Sequence, residues 1–408
     1  MKSFNSIGKV GAFCALMSSF LSLGGAFVST PAWAEESAGS AAVRSVNHFA
    51  LQAAGLLGAS SEGELFFSPY SVISALGMTY AGAKGETAQE MEKALRFAPE
   101  IHASLGALAQ DLARGAGKGT ETLTSANRIW LRKGLGLRAD FAGTLCRDYG
   151  STAAEADFKG DPNGAKEDIN GWVEEQTHER IRDLIQKLEP DTQMVLVNAI
   201  YFNGQWEEPF DEKRTSPRPF HVTPSTTKDV PMMQQNVRLL YGEADGVKLL
   251  RLPYNGRLSM LLALPEEGGM EATLKALMDE GLFDRWRRSL SRRQVDLWLP
   301  KFRTESRYEL KDILVALGVR QAFEKEADFS GITDDEKLRI DSVIHKTFIE
   351  VDEKKTEAAA ATGIIMVRTT AAPVSLPRAE FHADRPFLYF IMDDVSGLIL
   401  FVGTQSFR

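Results

Sequence analysis

The chain carries six histidines, His48, His102, His178, His221, His345 and His382. Imidazole is the commonest metal ligand and titrates near neutral pH. None of the six falls in a His-Glu-x-x-His or His-x-Glu pattern, and no Cys-x-x-Cys occurs. A zinc site has no support, and no metal or cofactor is expected. The absence of a Gly-x-Ser-x-Gly elbow counts against a nucleophilic serine of the α/β-hydrolase kind. Gly82-Ala83-Lys84-Gly85-Glu86-Thr87 has the residue types of a phosphate loop but not the Gly-Lys-Ser/Thr order, and no strand precedes it. It reads as a turn between two helices. The acidic residues lie mostly on polar faces, so the chain is not read as an enzyme.

The segment with a distinctive chemistry is Glu353-Lys354-Lys355-Thr356-Glu357-Ala358-Ala359-Ala360-Ala361-Thr362, which follows a strand-like run from Lys346 to Val351. Alanine is the best helix former. The β-branched Thr362, Ile364, Ile365 and Val367 favour a pleated surface instead. From Gly363 to Pro377 the chain reads as a long exposed loop. Such a segment, free of bulky anchors and tolerant of two conformations, is suited to changing its state.

The elements around it follow from periodicity. Helices are predicted at Ala41 to Leu57, Pro69 to Ala81, Glu86 to Leu95, Ile101 to Ala113, Ala139 to Tyr149 and Pro162 to Ile181. Strands are predicted at Glu121 to Leu131, Thr192 to Phe202, Val247 to Leu252, Leu258 to Leu264, Val295 to Arg303, Ile340 to Val351, Pro386 to Met392 and Leu398 to Gly403. Thr192 to Phe202 is apolar on both faces, which marks a central strand. The last two strands form a buried hairpin. Helices first and strands later, without βαβ alternation, indicate an α+β fold with large, mainly antiparallel sheets.

Lys2 and Lys9, the apolar run from Val10 to Val28, and Ala32-Trp33-Ala34 before Glu35 read as a secretory signal peptide over residues 1–34. Its removal takes the formal charge from −8 to −10 and leaves Cys146 as the one cysteine, so no intrachain disulfide is expected. The acidic surface disfavours nucleic acid and anionic membrane as partners. A secreted or periplasmic location is expected, with residues 35–408 as a single domain.

Six ordered blocks carry a resemblance. They are Phe66-Phe67-Ser68-Pro69-Tyr70-Ser71, the run from Val197 to Trp206, Leu299-Pro300-Lys301-Phe302, Ala327-Asp328-Phe329-Ser330-Gly331, His345-Lys346 with Glu353 to Thr362, and Ala383-Asp384-Arg385-Pro386-Phe387. Across its mature length the chain resembles a serpin. The resemblance implies one domain of about nine helices and three sheets, with an exposed reactive-centre loop at about 353–377. It also implies a mechanism: a serine protease attacks the loop and forms an acyl-enzyme. The cleaved loop then enters the main sheet as a new strand and traps the enzyme. The implied partner is a trypsin-, elastase- or subtilisin-like protease held in a covalent acyl complex by a monomeric inhibitor. Papain-like cysteine proteases are possible further targets, and a non-inhibitory, binding or chaperone-like serpin is the alternative.

Carried onto this sequence, the family's spacing from Glu353 places the scissile bond between Thr369 and Thr370, with cleavage after Arg368 as the alternative. Ser68, Ser71, Asn198 and His345 match a polar cluster where the sheet parts. Trp206 matches the top of the sheet, where Lys301 and Glu353 would pair. Strand alternation points Thr356, Ala358, Ala360, Thr362, Ile364 and Met366 inward in an inserted loop. Lys355, Glu357, Ala359, Ala361, Gly363 and Ile365 then face outward, so every charge stays outside. Lys355 departs from the glycine that inhibitory relatives usually carry there. The helix Ile101 to Ala113 matches the region that is basic in heparin-activated relatives but has no lysine or arginine before Arg114, so heparin is not an expected partner.

Overall fold

A computed structural model of the chain describes residues 32–60, 64–116, 122–279, 281–356 and 376–408. Nine α-helices occur among them: α1 (Ala32–Ser60), α2 (Pro69–Tyr80), α3 (Gly85–Leu95), α4 (Ile101–Ala116), α5 (Ala139–Tyr149), α6 (Pro162–Gln176), α7 (Met270–Ala276), α8 (Leu282–Ser289) and α9 (Lys311–Leu317). The strands are β1 (Phe66–Phe67), β2 (Thr122–Arg132), β3 (Ala154–Ala156), β4 (Met194–Gln205), β5 (Ser216–Thr223), β6 (Thr226–Ala244), β7 (Val247–Pro253), β8 (Leu258–Pro265), β9 (Ser291–Pro300), β10 (Phe302–Glu309), β11 (Ser342–Val351), β12 (Lys355–Thr356), β13 (Arg378–His382), β14 (Phe387–Asp393) and β15 (Ile399–Gln405). No helix among the described residues is long and apolar enough to cross a membrane.

Local chemistry accounts for several boundaries. Ser68 caps α2, its Oγ accepting from the Ser71 N–H at 3.2 Å, and Pro69 opens the first turn. In the glycine-rich stretch before Thr87, Gly82 to Lys84 form the turn between α2 and α3, and Gly85 already opens α3. Helix α6 stops at Gln176, short of the predicted Ile181. There the Ile181 N–H donates to the Thr177 hydroxyl at 3.1 Å, and His178 and Glu179 turn to φ values of 51° and 62°. Cys146 lies on α5.

The described strands form two hydrogen-bonded sheets. In the six-stranded sheet the order is β10-β11-β4-β2-β3, with β12 added beside β4. The nine-stranded sheet runs β1-β15-β14-β8-β7-β6-β9-β13, with β5 beside β6. The long strand β6 joins its two halves: β5 and β9 pair along most of β6, while β7 pairs with its end, Leu240 to Ala244. The predicted single strand from Val295 to Arg303 is two strands in different sheets, β9 and β10, because the chain breaks direction at Lys301 after Pro300. The predicted C-terminal hairpin is present: every residue of β14 and β15 is buried.

Strand β4 divides two cores. Met194, Leu196, Ile200 and Phe202 face the main core. Val195, Val197 and Ala199 face a smaller one roofed by Ala165, Ile169 and Val173 of α6. This is a central strand buried on both faces, as its unbroken apolar run requires. Beside it β11 runs parallel, paired from Ser342–Val195 to Phe348–Tyr201. Beyond that point the two strands no longer pair, although each continues.

Candidate functional site

The place where β4 and β11 part is fastened at two levels. At the upper level, β11 ends at Val351 and the chain turns through Asp352, Glu353 and Lys354. All three carbonyls of the turn are held by the segment following β4. The Trp206 indole N–H donates to Asp352 O at 2.9 Å, the Phe210 N–H to Glu353 O at 2.8 Å, and the Trp206 N–H to Lys354 O at 3.3 Å. Trp206 is itself pinned, stacked on Tyr254 with ring centroids 4.5 Å apart and edge-on to Phe210. Gly204 is required here, since a Cβ would lie 2.6 Å from the Phe202 ring and 2.9 Å from Tyr254.

The Glu353 side chain is buried and accepts two hydrogen bonds, from Lys301 Nζ at 2.8 Å and from the Thr215 hydroxyl at 2.8 Å. Burial pushes its carboxyl pKa up, but the bonds from Lys301 and Thr215 outweigh that and hold it below the ordinary range. Immediately after this turn the chain enters the sheet. Lys355 pairs with Gln205 and Thr356 with Gly204, antiparallel to β4.

At the lower level, four pairs down from the point where the strands part, His345 of β11 lies opposite Asn198 of β4. The Ser68 N–H donates to His345 Nε2 at 2.9 Å, so this nitrogen is unprotonated and the ring carries its hydrogen on Nδ1. Nδ1 faces Asn198 Oδ1. The Asn198 amide donates in turn to Ser71 Oγ at 2.6 Å and to Asn127 Oδ1 at 2.5 Å. Ser71 Oγ donates to Asn127 Oδ1 at 2.8 Å, and Ser68 Oγ to the Leu400 carbonyl at 2.7 Å. Ser68, Ser71, Asn198 and His345 are fully buried. Burial pushes the imidazole down to about 3. A ring so placed is neutral, and a second proton would set Nε2–H against the Ser68 N–H. The network ties β4 and β11 to the start of α2 and, through Leu400, to β15.

The sequence-predicted cluster residues are therefore in direct contact; at the upper level Lys301 pairs with Glu353, and Trp206 holds the carbonyls on either side of it, those of Asp352 and Lys354. Lys355 and Thr356 lie in β12. Glu357, Ala358, Ala359, Ala360, Ala361, Thr362, Arg368, Thr369 and Thr370 lie outside the described residues. Sequence reasoning missed Asn127 and Thr215. Asn127 had a signal: it and Ser125 are polar at alternating positions of β2 whose neighbours Ile129 and Leu131 are buried in the main core. Nothing in the sequence pointed to Thr215.

A family model described as serpin (serine protease inhibitor) matches residues 44–406. The chain belongs to the serpin family. Over 348 residues this serpin is 39% identical to an uncharacterised serpin-like protein of Thermococcus kodakarensis, covering 85% of this chain and 81% of that one. It is 39% identical over 357 residues to the leukocyte elastase inhibitor of Bos taurus, covering 84% and 93% of the two chains. Among solved structures, human thyroxine-binding globulin superposes with a TM-score of 0.80 at 31% identity, over 90% of this serpin and 99% of that chain. The family contains inhibitors and carriers, so the fold alone does not choose between them.

Proposed function

We propose that this serpin is a suicide-substrate inhibitor of serine endopeptidases. A protease attacks the loop at Thr369–Thr370, or after Arg368, and its serine becomes esterified to the new carboxyl end. Before water releases it, the cleaved loop slides between β4 and β11 as an added strand and carries the enzyme with it.

The observation that carries this reading is the register of β12. Lys355 beside Gln205 and Thr356 beside Gly204 fix an antiparallel alignment. Each further step moves one residue down both strands. Ala358 then comes beside Phe202, Ala360 beside Ile200, Thr362 beside Asn198, Ile364 beside Leu196 and Met366 beside Met194. Those partners face the main core, apart from Asn198, which sits in the polar cluster. The incoming residues are small or apolar where the core is apolar, and the hydroxyl of Thr362 meets the amide of Asn198. On the other face, Ala361, Gly363 and Ile365 come beside Ala199, Val197 and Val195 under α6, while the charged Lys355 and Glu357 stay above it, next to Gln205 and Asn203. An unpaired charge in either core would cost several kcal/mol. This alignment places none there.

Lys355 supports a second reading, a non-inhibitory binding protein, because a lysine at the hinge restricts the backbone where glycine would not. Its outward register weakens that reading. Incubation with a panel of trypsin-, elastase- and subtilisin-like proteases distinguishes the two. An inhibitor gives a detergent-resistant complex, a cleaved form of raised melting temperature, and a released C-terminal peptide whose mass fixes the scissile bond. Clean cleavage with no complex and no thermal gain would leave the binding-protein reading standing.

A further inference from the structure

Asparagine followed by glycine occurs four times, at Asn163, Asn170, Asn203 and Asn255. Asparagine is a thermolabile residue, because the next backbone nitrogen can attack its side-chain carbonyl. A following glycine puts no Cβ beside that nitrogen and leaves the backbone free to bring it round. The fold restrains three of the four. Asn163 lies in the first turn of α6, where the Gly164 N–H donates to the Asp161 carboxylate at 2.9 Å. Asn170, deeper in α6, is tied twice to Ile185: its side chain donates to the carbonyl at 2.9 Å and accepts from the N–H at 2.7 Å. Asn203 is held extended inside β4, with Gly204 paired to Thr356 of β12.

Asn255 has no such restraint. It and Gly256 are exposed in the turn between β7 and β8. Among the described residues its side-chain amide has no hydrogen-bond partner. The Gly256 N–H closes a three-residue turn on the Tyr254 carbonyl at 2.9 Å, a bond that opens without breaking any strand pair. This turn abuts the upper fastening. The Asn255 N–H donates to Gln205 O at 2.7 Å, and Tyr254, bridged to Trp206, carries the ring on which Trp206 stacks. The far end of the turn is fixed, since Arg257 is paired with the buried Asp393.

We infer that Asn255 is a site of spontaneous deamidation whose isoaspartate product loosens the Trp206 fastening. The Gly256 nitrogen bonds to the Asn255 side-chain carbonyl carbon, its proton passes to the side-chain nitrogen, and ammonia leaves. Water then opens the resulting succinimide at either carbonyl, with no change of oxidation state. One opening gives aspartate. The other gives isoaspartate, whose main chain runs through the side-chain carbon and is longer by one methylene. With Arg257 fixed, that extra length displaces Asn255 and Tyr254, which face Gln205 and Trp206. The inference does not depend on the inhibitory reading.

The test ages the whole chain in mildly alkaline buffer and follows tryptic peptides by mass. The peptide 252–257 should gain one dalton first. The two bonds to Ile185 alone should hold Asn170 about 30-fold slower than Asn255, whereas in urea all four sites should react at similar rates. The aged parent should melt about 2 °C below an equally aged Asn255→Gln variant. Asn255→Asp, which adds the charge without the methylene, should melt with the unaged parent. No mass gain at Asn255, or a gain at Asn163, Asn170 or Asn203 as early in the folded chain, would overturn the assignment of the site. A modified chain of unchanged melting temperature, or an Asn255→Asp variant melting as low as the aged parent, would overturn its link to the fastening.

Discussion

The register of β12 makes a sharp prediction at Ala360. Continued from Lys355–Gln205 and Thr356–Gly204, it puts residue 360 beside Ile200, which is fully buried in the main core. Ala360→Glu would carry a carboxylate into that site with no cation to meet it. An unpaired buried charge of this kind costs about 4 kcal/mol. The cost falls on the inserted state, and about half of it would be felt at the transition state for insertion if that state is half formed there. At 1.4 kcal/mol per decade of rate, insertion slows about 30-fold. Deacylation by the protease is untouched, so most encounters should end in turnover rather than in a trapped complex.

Ala359→Glu is the matched control. Its position comes beside Tyr201 on the opposite face, where the Arg180 guanidinium lies 5.9 Å from the tyrosine ring. A carboxylate there meets a cation near solvent, and the effect should stay below ~1 kcal/mol. The assay is the ratio of detergent-resistant complex to cleaved inhibitor at equal protease dose, read on denaturing gels. Trapping by Ala360→Glu as efficient as by the parent would refute the register. So would an Ala359→Glu variant as defective as Ala360→Glu.

Glu353→Lys sets two cations against each other and removes the acceptor for Lys301 and Thr215, loosening the upper fastening by ~2 kcal/mol; native gels should show oligomers or a prematurely inserted monomer on mild warming. Lys355→Gly should ease the hinge and lower the stoichiometry of inhibition, by less than about fivefold. His345 is held near 3 by burial, below its unfolded value of about 6.5. The unfolded chain therefore takes up the proton first, so stability is full above about pH 6.5 and falls as pH drops towards 3, by about 3 kcal/mol at pH 4.5. Urea unfolding at pH 7.5 and 4.5 measures this, and His345→Asn should flatten the difference.

Much of the helical half was legible because amphipathic period and end signals agreed: α5 begins and ends at the predicted Ala139 and Tyr149. Strands β5 and β6 were not read, since Pro217, Pro219 and Pro231 break their pattern and the first four residues of β6 are exposed. The break at Lys301 escaped notice because Val295, Leu297 and Leu299 alternate right up to it and the apolar Phe302 follows one residue later. At the site, side chains carried by recognisable blocks could be placed, whereas Asn127 and Thr215 act through single hydroxyl or amide groups. Such contacts depend on the packing of distant strands, which local pattern does not encode.

The two fastenings differ in what opening them requires, and under the proposed inhibitory mechanism that difference orders the events of insertion. At the upper level the turn from Asp352 to Lys354 is already made and the first two loop residues are already paired, so entry needs no new nucleus. Glu357 and Ala358 come beside Asn203 and Phe202, where β4 and β11 are already apart; from Ala359 on, each step breaks one β4–β11 pair, starting at Phe348–Tyr201, and lets one loop residue pair with both strands, so hydrogen bonds are replaced at least one for one. That exchange is close to neutral or favourable until the gap reaches His345–Asn198. There the bond between strands is a side-chain bond between the fully buried His345 and Asn198, and leaving such groups unpaired costs ~1–3 kcal/mol each. In the register of β12 the residue arriving at that level is Thr362, whose hydroxyl can both donate and accept. The hardest step is thus the one at which the loop brings a hydrogen-bonding side chain. Replacing Thr362 with valine, similar in shape but without the hydroxyl, should slow trapping while leaving the initial rate of loop cleavage unchanged. Equal slowing of cleavage and trapping would locate the barrier elsewhere.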